Sequence, residues 1–413
     1  MAREANINAT PAATFPVRAR ATLVACALAA LFEGFDNQSM GVAAPLMFRE
    51  LGIAPSTAAF LFSAATFGLF AGAALGGRTA DRFGRTRTLA ASLALFGLGS
   101  LATIAARDPL TLGLVRLATG LGLGAAMPNF IALATEAVEP GRRLRVVAAS
   151  MAALPLGGAI AGLLALGERL GWGWRTIFIV GGLPPILLAV ALGRDGLRGG
   201  AAPAATRGGS RGEPVAAILW RGRQGATTAL LWTGFFCTNL VLFLLLNWLP
   251  SLIVAMGFTG AQASGASIGF NLAGGAGALL LGPAHAGARR RGWVPASYAG
   301  ILVGLGALAV VATHGRDFPV ALAATVLAGL FTIGAQLILY ALAPLYYSST
   351  GRATGVGAAL AVGRLGGAVG PLYAGAWLAA THQSALVLAA AVPFVAVAGL
   401  AAYALVGRPH GPD

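Results

Sequence analysis

The stretch ALAALFEGFDNQSMGVAAPLM, residues 27–47, is apolar at both ends and holds Glu33, Asp36, Asn37 and Gln38 at its centre. Two further charges stand in equally apolar surroundings: Arg116 in RLATGLGLGAAMPNFIALATEA (116–137) and Arg364 in AVGRLGGAVGPLYAG (361–375). Glu33 and Asp36 are spaced i and i+3, so on a helix they project from nearly the same side, with Asn37 beside them. Two ionised carboxylates so placed repel and are poorly solvated, and the pair is expected to exchange protons as a coupled unit. A carboxyl that takes a proton in one orientation and releases it in another is the minimum equipment for proton coupling. Asp36, helped by Glu33, is the expected carrier. A static pair with Arg116 that holds one end shut is the alternative. An arginine deep in an apolar helix either snorkels to the interface or faces a partner or a polar cavity, because a central charge costs ~2.5–3.5 kcal/mol to insert.

The elements that must hold these groups follow from composition. Of 413 residues, 57% are hydrophobic and 10% charged, and the mean hydropathy is +0.79, far outside the range of soluble domains. Apolar runs long enough to cross ~30 Å of hydrocarbon recur near 21–47, 56–77, 88–106, 109–137, 143–166, 173–193, 224–255, 262–285, 293–313, 318–347, 353–379 and 384–407. The expected fold is an all-α membrane protein of twelve transmembrane helices in contact with a lipid bilayer. Arg116 then lies about six residues, ~9 Å, inside its span and Arg364 about eleven residues into its own.

The formal net charge of +15 could point to nucleic acid, but its distribution argues otherwise. All 28 basic residues are arginine. Apart from Arg116 and Arg364, only Arg49, Arg107, Arg169, Arg175 and Arg316 fall between spans on one side; the rest fall on the other. By the positive-inside rule both termini are expected in the cytoplasm of a bacterial-type inner membrane, and no nucleic-acid partner is expected. Residues 1–20 lack the apolar core of a cleavable signal. Cys26 and Cys237 sit inside spans as small hydrophobes, and no metal or cofactor site is expected.

Residues 194–223, rich in Gly, Ala and Arg, read as a linker between two halves. The expected division is a cytoplasmic tail (1–20), a six-helix bundle (21–193), the linker, a second bundle (224–407) and a short tail (408–413). A repeat of about 205–210 residues supports the six-plus-six arrangement: LPLGGAIAG at 154–162 is echoed by GRLGGAVG at 363–370. Duplicated halves are what many secondary transporters use to alternate access to a central site.

Between the second and third spans stands GGRTADRFGRTR, 76–87. Gly77 and Gly84 permit a tight turn, and Asp81 can cap a helix or pair with Arg82 or Arg85. The matching place in the second half, GPAHAGARRRG (282–292), lacks the acid. Glu136 is expected to pair with the Asp81/Arg82 region or with Arg142 in an inner gate. A basic loop that only fixes orientation would look similar, yet the spacing resembles the signature of the major facilitator superfamily.

Together with FEGFDNQSMGVAAP and the runs around Arg116 and Arg364, the chain resembles the aromatic acid/proton symporters of that superfamily, and more narrowly transporters of hydroxyphenylpropionate. Glu33 stands where aspartate is commoner, Asp36 matches, Arg116 and Glu136 fall on the fourth-helix motif, and Arg364 falls on the GRLG motif. The resemblance implies import of a small aromatic carboxylate with protons. The anion is expected at Arg364 and Arg116, and the ring and hydroxyl near Tyr340, Asn239, Phe243 and Trp248. A proton-driven exporter would also want a buried acid, but two deep arginines would repel a cationic cargo. An enzyme is not expected, since no nucleophile with its base and no ligand cluster lies within the spans. A transporter-like sensor would want a soluble domain that the linker is too short to supply.

Overall fold

The computed structural model describes residues 17–167, 171–198, 215–222, 224–286, 290–315, 317–348 and 351–408. The expected tails fall largely outside the described residues, as do residues 199–214 of the linker. Twelve long helices carry the fold: α1 (Val17–Leu51), α2 (Pro55–Phe83), α3 (Arg85–Thr103), α4 (Pro109–Glu136), α5 (Arg143–Ala165), α6 (Arg175–Arg198), α8 (Gln224–Ala255), α9 (Gly260–Ala286), α10 (Arg290–His314), α11 (Phe318–Leu342), α12 (Arg352–Thr381) and α13 (Ser384–Val406). A short helix, α7 (Val215–Trp220), precedes α8. Ten of the long helices are long and apolar enough by themselves to span a membrane. The other two are α1, diluted by its central polar cluster, and α3, which opens on Arg85 and Arg87.

Several neighbouring helices are joined by very short turns, among them α1 to α2, α2 to α3 and α12 to α13. Gly84 sits at φ +88 between α2 and α3, a left-handed conformation that disfavours any side chain. The GGRTADRFGRTR stretch is therefore helix on both sides of one glycine and not a loop. Gly77 lies inside α2 with open space around it and takes no part in the turn. The starts of α4 and α11 are alike: Asp108 accepts a hydrogen bond from the Thr111 amide at 2.9 Å, Asp317 one from the Val320 amide at 3.3 Å, and a proline occupies the first turn of each. Asp108, outside the span, is held below the usual carboxylate range by hydrogen bonds from the Thr111 side chain and amide.

The packing repeats between halves. Helix α1 lies on α5 as α8 lies on α12; α4 lies on α2 and α3 as α11 lies on α9 and α10; α3 packs on α6 as α10 packs on α13. Across the midline α2 meets α12, α5 meets α9, and α1 meets α8. This is a two-fold arrangement of two six-helix bundles. Within a bundle, glycines let backbones touch. A methyl at Gly120 would fall on the Ala65 carbonyl of α2, and one at Gly124 on the Leu69 carbonyl. Gly124→Leu should therefore force α2 and α4 apart at a cost of ~1–3 kcal/mol, whereas Gly77→Leu, facing open space, should be neutral. Thermal unfolding of the two purified variants checks this, and equal midpoints would contradict the packing.

Candidate functional site

The polar centre of α1 is divided by rotation about the helix axis. Residues 33, 34, 37 and 38 line a cavity of about 140 Å³ between the bundles, while Asp36, set 60° away from Glu33 by the three-residue step, turns into the N-terminal bundle. There Arg116 of α4 donates to it, Nη2 to Oδ2 at 3.1 Å and Nη1 to Oδ1 at 3.5 Å. Asp36 is fully buried and Arg116 1% exposed. The Arg116 guanidinium also lies 6.0 Å from the Phe178 ring. Neither residue reaches the central cavity; Arg116 borders only a void of about 10 Å³ beyond it, with Asn37, Phe243 and Asn247. The expectation that Glu33 and Asp36 face one cavity, and that Arg116 shares a ligand with Arg364, is corrected accordingly: 60° is enough to put the two acids on opposite sides of the bundle wall.

A buried pair of this kind tolerates joint replacement far better than the loss of one member. Asp36→Ala should cost ~3–5 kcal/mol by stranding the Arg116 charge, and Asp36→Leu combined with Arg116→Met should recover much of it. The yield of monodisperse protein and its unfolding midpoint report this; a double variant no better than the single one would speak against a structural pair.

The cavity itself draws on both bundles. From α1 come Glu33, Asn37 and Gln38; from α2 and α4, Leu69 and Met127; from α5, Met151, Leu154 and Pro155. The second bundle contributes Asn239, Leu242, Phe243 and Leu246 of α8, Asn271 of α9, Ile333, Gln336, Leu337 and Tyr340 of α11, and Arg364 of α12. Walls are mostly apolar, with a few converging polar groups, the usual make-up of a small-molecule site. Arg364 reaches over the midline: Nη1 donates to the Leu69 carbonyl at 2.8 Å and Nη2 lies 3.5 Å from the Met127 sulfur. Glu33, 3% exposed, leaves Oε2 without a hydrogen-bond partner and is close enough to Arg364 for direct electrostatic interaction. Asn239 donates to the Phe235 carbonyl and accepts from Gln336 at 2.9 Å. A neutral amide pair thus joins α8 to α11 at the cavity wall. Tyr340 packs edge-on against Phe235 at 5.5 Å.

Of the expected site residues, Glu33, Arg364, Tyr340, Asn239 and Phe243 meet in this cavity. Trp248 does not: it donates to the Pro371 carbonyl at 3.0 Å and stacks edge-on against Phe62 at 5.2 Å. Its neighbours close one end of the molecule. Ser63 donates to the Ala368 carbonyl at 2.7 Å across the midline, and Gly41 is pressed against Leu246 and Asn247. These cross-bundle contacts lie at the level of the cavity or on the side away from Val17 and Arg408. At that closed end Glu50 pairs with Arg175 at 2.8 Å and accepts from Trp174 at 2.7 Å. Both bonds, the arginine's first, hold the Glu50 carboxyl below its usual range.

At the opposite end Glu136 pairs with Arg85 at the start of α3. Arg142 occupies a 3₁₀ turn (Pro140–Arg142) beyond α4. Asp81 and Arg82 are exposed, and Arg82 lies over the ring of its neighbour Phe83 at 5.2 Å. Glu136 therefore ties α4 to α3 inside one bundle, through an arginine of the 76–87 stretch that also holds Asp81 and Arg82. Gln38, Asn271 and Gln336 were missed as cavity residues. Each is an uncharged amide in an otherwise apolar span, and the rule that singled out the deep charges applies to them as well.

Residues 26–371 match the family model of the Major Facilitator Superfamily. The chain is 42% identical to the 3-(3-hydroxy-phenyl)propionate transporter of Escherichia coli over 94% of both chains. It is 31% identical to the gallate transporter of Pseudomonas putida, covering 86% of this chain and 85% of the other, and 31% identical to the 4-hydroxybenzoate transporter of the same species, covering 91% and 88%. A crystal structure of a bacterial homolog of the human lysosomal transporter spinster, described as inward-facing and occupied, superposes with a TM-score of 0.77 at 18% identity, over 95% of this chain and 98% of that one. The family and these relatives are transporters, not enzymes. The chain is a multi-pass membrane transporter belonging to the Major Facilitator Superfamily.

Proposed function

We propose that the protein imports an aromatic carboxylate, of the hydroxyphenylpropionate or hydroxybenzoate kind, together with a proton across a bacterial inner membrane, with both termini in the cytoplasm. One observation carries the reading: a guanidinium, Arg364, and a carboxyl with an unpartnered oxygen, Glu33, line the same mostly apolar cavity between the two bundles. The names of the relatives support the cargo. The apolar wall of Leu69, Met127, Leu242, Phe243 and Ile333 suits a ring, and Arg364 offers a fork of donors matched to a carboxylate.

Charge balance supplies the coupling. In the empty cavity Arg364 is the guanidinium available to offset Glu33 in its ionised form. An entering carboxylate takes over that role, and an unpaired negative charge left on Glu33 in dry surroundings would be costly, so Glu33 accepts a proton as the substrate binds. Asp36, engaged by Arg116 away from the cavity, is reassigned from proton carrier to a fixed part of the wall. With the termini inside, the end sealed by Trp248, Phe62 and Ser63 is the outer one, and the conformation is inward-facing. Rocking of one bundle against the other then alternates access. Proteoliposomes given an inward proton gradient should accumulate labelled 3-(3-hydroxyphenyl)propionate, and a protonophore should abolish the accumulation. Accumulation that survives collapse of the gradient would defeat the coupling; its absence under every gradient and with every aryl acid would defeat the cargo.

A further inference from the structure

Gln38 is 1% exposed and lines the central cavity, yet neither its amide oxygen nor its amide nitrogen has a hydrogen-bond partner. Asn239 and Asn271, which face the same space, are engaged: Asn239 by Phe235 and Gln336, and Asn271 by the Ser267 carbonyl at 2.9 Å. Leaving a buried donor and acceptor both unmade is costly, and native proteins rarely do so without a ligand or ordered water to satisfy them. A side-chain amide offers N–H donors and a carbonyl acceptor side by side in one plane. A carboxylate, which only accepts, would use half of it; a hydroxyl, which donates and accepts, would use both.

Position agrees with this. Gln38 is five residues beyond Glu33 along α1, about 7.5 Å toward the closed end, while Arg364 interacts with the carboxyl at the Glu33 level. That separation is comparable to the distance from the carboxyl carbon to a ring hydroxyl in an aryl propionate. The intervening wall includes Phe243 and Leu242, apolar surface for the ring itself. Held in this way, one substrate molecule would touch α12 with its anion and α1 with its hydroxyl, bridging the two bundles.

We propose that Gln38 reads the ring hydroxyl of the substrate and makes the transporter discriminate hydroxylated aryl acids from their unsubstituted analogues. The inference rests on the aromatic-acid reading above and adds to it a chemical requirement at the far end of the ring. A site whose polar groups are left unpaired by the wrong ligand rejects that ligand more strongly than an apolar pocket can.

Competition against labelled 3-(3-hydroxyphenyl)propionate uptake by the unlabelled hydroxylated acid and by 3-phenylpropionate tests it. The wild type should favour the hydroxylated acid by about 5- to 150-fold. In Gln38→Met, of similar length without the amide, that ratio should fall close to one, through weaker binding of the hydroxylated acid and not of 3-phenylpropionate. A ratio of affinities within one sample does not depend on how much protein folds, and thermal-shift titration of purified protein yields it should the variant bind without transporting. An unchanged ratio in Gln38→Met, as expected if only water satisfies the amide, would overturn the inference, as would equal weakening of both acids. A wild type that binds both acids equally would overturn it too while leaving aromatic-acid transport intact. A wild type that binds neither would remove the aromatic-acid reading and this inference together.

Discussion

Arg364→Gln should abolish measurable uptake of aryl carboxylates and weaken their binding by about 30-fold or more, since losing one member of a desolvated charge pair costs ~2–5 kcal/mol. The basis is that Arg364 is the one guanidinium lining the central cavity among the described residues, Arg116 being committed to Asp36 outside it. Arg364→Lys is the informative companion. It keeps the charge but loses the planar fork that meets both carboxylate oxygens and the Leu69 carbonyl at once. Partial affinity is expected there, with a larger loss in transport rate than in binding. Binding measured by thermal-shift titration and transport measured in proteoliposomes separate the two effects. An affinity within twofold of wild type in Arg364→Gln would remove the anion site from where it is placed here.

Glu33→Gln should separate coupling from binding. Gradient-driven accumulation should be lost almost completely, because an amide of the same shape cannot carry the proton. Exchange of labelled for unlabelled substrate at equal concentrations on the two sides should survive, since that cycle never requires the empty carrier to reorient. Exchange by the wild type should depend on pH through the carboxyl, and exchange by the variant should be flat across the same range. Asp36→Asn offers the contrast. Its partner Arg116 is 1% exposed, so its defect should appear as poor folding, and whatever protein folds should still respond to a gradient. If Asp36→Asn folded normally and lost accumulation while Glu33→Gln kept it, the roles assigned to the two acids would be reversed.

The spans were legible because each is a long, predominantly apolar run and lipid tolerates little else. The boundaries were less so at α3, which starts at Arg85: the polar stretch 78–87 that separates the two apolar runs is helical on both sides of Gly84, so the helices run on past the apolar runs. The special status of Glu33, Asp36, Arg116 and Arg364 was also legible, since ionisable groups in such runs are expensive wherever they point. Which of them share a cavity was not. That depends on a rotation of 60° about α1 and on where α4 and α5 press against it, and these are properties of packing, not of spacing. For the same reason Trp248 looked like a ring contact and proves to be part of the closure, while Gln38, Asn271 and Gln336, uncharged and so less conspicuous, went unread. Glu136 was legible as a helix-end partner, but its mate, Arg85, comes from the neighbouring helix that the single-glycine turn brings alongside.

The bond from Arg364 to the oxygen of Leu69 has a bearing on how this transporter can vary over time. A main-chain oxygen is present whatever side chain its residue bears, so drift along that part of α2 cannot delete the acceptor; it can only shift the backbone that presents it. Gly124 guards against such a shift by letting α4 lie flush against the same oxygen. One arginine and one glycine thus help keep the two halves in register without calling on any particular side chain at Leu69, leaving the outward-facing side chains of α2 free to follow the demands of the surrounding lipid.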